Sequence, residues 1–197
     1  MAITNIYKGV LERSDIQKIY KGTTLLYEKV LPPSTALFYG GATTLTVKKA
    51  NLDDLSTLDT SVSYGGTIFA IVMDDIYIYA GGATTRTVRK YLKSNLSYVG
   101  ETPSYGGDIR AIAMDDTHIY VGGTTTRKVI KYLKSDMSYV SLSASYGGNI
   151  NSIAMDDTYI YVGGATTNRV RKYLKSDLSY IGESPSYSGA IYSIAID

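Results

Sequence analysis

SYGGTIFAIVMDDIYIYAGGATTRTVRKYLKSNLSYVGETP, residues 63–103, is followed at once by SYGGDIRAIAMDDTHIYVGGTTTRKVIKYLKSDMSYVSLSA, residues 104–144, and by SYGGNINSIAMDDTYIYVGGATTNRVRKYLKSDLSYIGESP, residues 145–185. The opening phrase starts again at Ser186, as SYSGAIYSIAID, residues 186–197. Starts at 63, 104, 145 and 186 give a constant step of 41. A fixed period of this length marks a repeat architecture, which must be recognised before any other pattern. The same phase places Gly40-Gly41 on Gly81-Gly82, so residues 34–62 are a repeat without its SYGG phrase, and residues 186–197 are that phrase without its continuation. Asp197 aligns with Asp156, and Ser34-Thr35-Ala36-Leu37 aligns with Asp157-Thr158-Tyr159-Ile160. The two fragments add up to one repeat.

Each repeat predicts four short strands. In residues 63–103 these are Thr67–Met73, Ile76–Ala80, Thr87–Lys93 and Leu96–Gly100, separated by Asp74-Asp75, the Gly81–Thr85 stretch and Ser94-Asn95. Gly, Asn and Asp fall where turns require them, and Tyr, Val, Ile and Thr supply strand propensity. Four strands in about 40 residues, repeated, is the pattern of a β-propeller blade. The expected fold is all-β: a four-bladed β-propeller at 34–197, with blades 34–62 plus 186–197, 63–103, 104–144 and 145–185. A ring must close or leave unpaired strand edges. The expectation is therefore a composite closing blade, its inner strand from 186–197 and its other three from 34–62, with the chain stopping where the repeat is already supplied. A two-chain swapped ring is the rival architecture. The wording IAMDDTYIYVGG resembles the first half of the blade in NHL-type and related bacterial propeller repeats, and the Trp-Asp dipeptide of WD repeats is absent.

Residues 1–33 stand outside the period. They hold IYKG twice, at 6–9 and 19–22, and IQKIYKGTTLLYEK predicts a hairpin with strands 16–20 and 25–29, followed by a stiff Pro32-Pro33 spacer. A lone hairpin is marginally stable and needs something to pack on. ITNIYKG and IQKIYKGTTLLYEK resemble the short N-terminal module of virion and tail-associated proteins from phages and prophages of Gram-positive bacteria. The resemblance implies an arm that docks on other virion proteins, through Ile6, Tyr7, Ile19, Tyr20, Leu26 and Tyr27, and a displayed propeller.

Composition narrows the chemistry. The chain has 197 residues, net charge +2, no Cys and no Trp, but 20 Tyr. Without cysteine there is no disulfide framework and no thiolate metal site. The start, MAITNIYKGV, lacks the apolar core of a secretory signal, and no apolar run is long enough to span a bilayer. The expected location is the phage particle, after synthesis in the host cytoplasm. His118, the one histidine, stands where other repeats have Tyr77 and Tyr159, which fits strand packing. The Asp74-Asp75, Asp115-Asp116 and Asp156-Asp157 pairs fit turns that cap their own amides better than a calcium cage. No phosphate-loop signature follows the GG-A/T-TT turns. The basic residues of the third strand, including Arg89, Lys90, Lys131, Arg171 and Lys172, read as a solvated outer girdle, with an anionic surface as the alternative. Near-balanced charge argues against a nucleic-acid partner.

Comparison among repeats finds the variable positions. Phe69, Arg110, Asn151 and Tyr192 are equivalent, as are Thr67, Asp108, Asn149 and Ala190, and both sets flank the uniform Ile68, Ile109, Ile150 and Ile191. In a propeller the first strand lines the channel. One rim then gathers Phe69, Arg110, Asn151 and Tyr192 with Tyr64, Tyr105, Tyr146 and Tyr187, as a candidate ligand site. The expected protein is non-catalytic, without cofactor or metal: a virion structural and binding module whose candidate ligand is cell-surface glycan. A free bacterial lectin or protein-interaction propeller is the alternative.

Overall fold

A computed structural model describes residues 18–21, 24–28 and 36–197. The chain divides into two units, Met1–Ala36 and Leu37–Asp197. In the first, β1 (Lys18–Lys21) pairs antiparallel with β2 (Thr24–Glu28), Ile19 opposite Tyr27 and Tyr20 opposite Leu25, with a bulge between them. The predicted hairpin is present, with strands at Lys18–Lys21 and Thr24–Glu28 where 16–20 and 25–29 were expected. Ile6, Tyr7 and the Pro-Pro spacer lie outside the described residues, as do the side chains of Ile19, Tyr20, Leu26 and Tyr27.

The second unit is all-β among the described residues. Three repeats form four-stranded antiparallel meanders. The first comprises β6 (Ile68–Met73), β7 (Tyr77–Gly82), β8 (Val88–Leu92) and β9 (Tyr98–Glu101). The second comprises β10 (Ile109–Met114), β11 (His118–Gly123), β12 (Ile130–Leu133) and β13 (Tyr139–Leu142). The third comprises β14 (Ile150–Met155), β15 (Tyr159–Gly164), β16 (Arg171–Leu174) and β17 (Tyr180–Glu183). The headless repeat forms a three-stranded sheet of β3 (Ala36–Gly40), β4 (Val47–Asn51) and β5 (Thr57–Thr60).

The second strand runs on through both glycines, because those glycines are packing sites rather than turn residues. A Cβ on Gly122 would stand 2.5 Å from Ile150 of the next repeat, and one on Gly123 would stand 1.9 Å from the Asp108 carbonyl oxygen. The turn after the third strand holds Leu96, Met137 and Leu178 at φ of 55°, 64° and 62°. Left-handed backbone is unfavourable for such residues. Here the turn aims each side chain into its own core, where it is buried.

Neighbouring repeats are joined by a recurring set of backbone bonds. The Tyr64 N–H donates to the Leu45 carbonyl, Tyr105 to Arg86, Tyr146 to Arg127 and Tyr187 to Asn168, at 2.6–2.7 Å. Residues 186–197 join the array in this way. Ile191 N–H donates to the Gly164 carbonyl at 3.0 Å, and Ile194 N–H to the Ser152 hydroxyl at 3.0 Å. The expected composite sheet is not formed here: 186–197 carry no strand, and β3 is paired to β4 alone among the described strands. The contacts that hold 186–197 are made with the adjacent repeat, whereas pairing with β3 joins sequence-distant segments and carries a loop-closure cost.

Candidate functional site

The first strand of each repeat contains one residue too many for its partner. Ile68 faces Gly82 and Ala70 faces Gly81, which leaves Phe69 unpaired in the ladder. The same bulge leaves out Arg110 between Ile109 and Ala111, and Asn151 between Ile150 and Ser152. Bulges re-aim side chains and concentrate near functional sites. Three residues that differ between otherwise matching repeats therefore occupy the one strand position freed from pairing. Phe69 and Arg110 are exposed, Asn151 is partly exposed, and Tyr192, next in phase, is 75% exposed.

The row is continuous across repeats. β10 lies beside both β6 and β14. The Arg110 guanidinium stands 5.5 Å from the Phe69 ring centroid, within cation–π range. The Asn151 amide nitrogen donates to the Ile191 carbonyl at 3.2 Å, one residue from Tyr192. An aromatic face, a guanidinium, an amide and a phenol are thus presented in order, with the intervening isoleucines turned into the core. The arrangement can stack on a flat face and hydrogen-bond hydroxyls or carboxylates.

Tyr64, Tyr105 and Tyr146 are placed otherwise than the rim expectation. All three are buried, and their hydroxyls donate to the carbonyls of Thr87, Lys128 and Arg169 at 2.6–2.8 Å. Burial pushes the Tyr105 phenol up to about 12. These rings pack the blades and are closed to a ligand. Tyr187 alone of this set is exposed, at 64%.

The paired aspartates cap their turns. Asp115 Oδ1 accepts from the N–H groups of Thr117 and His118 at 2.8 and 2.7 Å, and Oδ2 accepts from the Tyr120 hydroxyl at 2.8 Å. Burial pulls its pKa upward, yet these donors hold it at about 2. Asp74 and Asp156 repeat the arrangement. Among the described residues no three acidic or histidine side chains are grouped to hold a metal ion. His118 packs against Tyr120, and burial followed by Lys131 lowers its pKa.

Two lysines of the basic girdle are internal, and others are tied to neighbouring groups. Lys90 and Lys131 are buried, and each ammonium reaches a carbonyl of the next repeat, Lys90 to Lys134 at 2.6 Å and Lys131 to Lys175 at 3.1 Å. Lys49 does the same to Ser94 at 2.9 Å. Lys134 also pairs with Asp74 at 2.8 Å, while Arg89 and Arg171 pair with Glu101 and Glu183. Charge identity concealed this role. The signal present in the sequence was the recurrence of one lysine at a 41-residue step, at 49, 90, 131 and 172.

No protein-family model matches the chain, and no curated protein matches it in a sequence search.

Proposed function

We propose that the protein is a non-catalytic binding module displayed on a phage particle. Its 1–33 arm docks on other virion proteins, its repeats arrange radially as a four-bladed β-propeller, and the bulge row Phe69, Arg110, Asn151 and Tyr192 contacts glycan on the host surface. The observation that supports this most is the coincidence of variation with the bulge. Scaffold positions match from repeat to repeat, while the side chains released from the ladder are aromatic, cationic and amide in turn. The arm's likeness to virion modules supports the location.

The test is Arg110→Ala combined with Tyr192→Ala. Both side chains are exposed, so the melting temperature should stay unchanged, while retention on host cell walls or purified wall glycan should fall at least tenfold. Retained binding in this variant overturns the bulge site. Mass spectrometry of purified particles checks location, and particles that lack the chain overturn the virion assignment.

A further inference from the structure

Two clefts open between successive repeats, beside the Asp-Asp turns. The first, of roughly 540 Å³, is lined by Tyr77, Tyr79 and Lys90 of one repeat and by Asp116, Thr117 and Lys134 of the next. The second, of roughly 430 Å³, is lined by His118, Tyr120 and Lys131, and by Asp157, Thr158 and Lys175. Each of these six residues stands 41 positions beyond its counterpart in the first cleft. The cleft is therefore a recurring product of how one repeat meets the next. The bulge row lies at the start of each first strand and the Asp-Asp turns at its end, so the clefts and the row are separate places on the sheets.

The floor of each cleft is a buried ammonium. Lys90 is 4% exposed and Lys131 is 6% exposed. An ammonium has three protons to donate. Lys90 gives one to the Lys134 carbonyl at 2.6 Å and stands 4.0 Å from the Tyr77 ring centroid. Among the described residues no second acceptor takes a proton from it. A buried donor without an acceptor is costly, and the space this residue lines is the cleft. Burial lowers the pKa of both lysines. The walls add groups of the opposite kind. Asp74 Oδ2 lies 2.8 Å from the Lys134 ammonium and accepts from the Tyr79 hydroxyl at 3.2 Å. Asp116 and Asp157 are exposed, and the turn amides are capped by their neighbours Asp115 and Asp156 instead.

We propose that the two clefts are equivalent binding sites for an uncharged sugar ring. Lysines and aspartates share each cleft, so an anion meets the carboxylates and a cation meets the ammonium groups. A polyhydroxylated ring suits both, because each hydroxyl accepts from an ammonium and donates to a carboxylate. Its C–H face has Tyr77 and Tyr79, or His118 and Tyr120, to rest on. Both volumes fall in the range of small-molecule sites. The sites stand independently of the bulge row and of the phage assignment. Ile76 and Tyr77 of the first cleft are replaced by Thr117 and His118 in the second, so the first offers more apolar contact and binds the ring more tightly.

The test is a titration of the nitrogen-15-labelled full chain, read from backbone amide shifts. The probes are the methyl glycosides of glucose, galactose, mannose and N-acetylglucosamine, with methyl glucuronide as the charged comparison. At least one uncharged glycoside should shift the Ile76 and Tyr77 amides saturably, with a Kd of about 1–10 mM, and the Thr158 amide at higher concentration. No saturable shift at these amides from any of the four overturns the proposal. Shifts confined to Arg110 and Asn151 overturn the clefts and leave the bulge row standing. Tighter binding of the glucuronide than of every uncharged glycoside overturns the ligand class. Asp116→Ala changes an exposed residue of the first cleft alone, so it should weaken the Ile76 response about fivefold or more and spare Thr158. Equal affinity at both clefts in that variant overturns the role of the carboxylate. Lys90→Met, with amide shifts unchanged outside the first cleft, should abolish the Ile76 response and spare Thr158; an undiminished response overturns the ammonium floor.

Discussion

Leu178→Ala and Leu55→Ala are the same chemical change at equivalent positions of two repeats, and the pair weighs the blade cores directly. Leu178 is 2% exposed and packs in one cluster with Tyr146, Ile160 and Tyr173. Both leucines sit at positive φ, 62° and 57°, so the backbone penalty of placing Ala there is common to both and cancels in the comparison. Truncating a fully buried leucine removes its transfer free energy and leaves a cavity, together about 2–5 kcal/mol. About 3 kcal/mol is expected for Leu178→Ala, or a fall in Tm of roughly 6–12 °C for a chain of this size. Leu55, 63% exposed, should cost under about 0.5 kcal/mol. Urea titration followed by near-UV tyrosine signal, at unchanged m, reads both values. A Leu55→Ala as costly as Leu178→Ala would refute the placement of Leu55 outside a filled core. A silent Leu178→Ala would refute the assignment of these turn leucines as core anchors.

Two more outcomes follow from the same contacts. Tyr146→Phe keeps the ring but leaves the Arg169 carbonyl without its donor, so it should cost about 1–2 kcal/mol while leaving any ligand affinity unchanged; a loss of binding at full stability would return this tyrosine to the rim. Asp115 has a folded pKa of about 2, below its unfolded value, so its stabilisation is present above about pH 4 and disappears as pH falls towards 2. Discounted for solvent screening the effect is about 1 kcal/mol, and Asp115→Asn should flatten the acid limb of the stability profile by that amount.

The repeat, its phase and its four-strand content were legible from residues 34–197 alone, because a strand is a local pattern and a 41-residue step needs no partner to be seen. Turn chemistry was legible for the same reason: Asp74, Asp115 and Asp156 cap amides two and three residues on, within reach of a short side chain. What the tertiary structure decided was direction and depth. Tyr64, Tyr105 and Tyr146 belong to the rim by position, yet their rings turn inward to carbonyls 23 residues away. Lys90 and Lys131 have the composition of a solvated girdle, yet they bury their ammonium groups on the next repeat. A residue's period says which repeat position it holds. Whether that position faces a neighbour depends on how sheets stack, which no single repeat encodes. The bulge is the clearest instance. Variation at Phe69, Arg110 and Asn151 was visible in the sequence, but only the ladder mismatch opposite Gly81, Gly122 and Gly163 shows that these are the side chains each sheet releases.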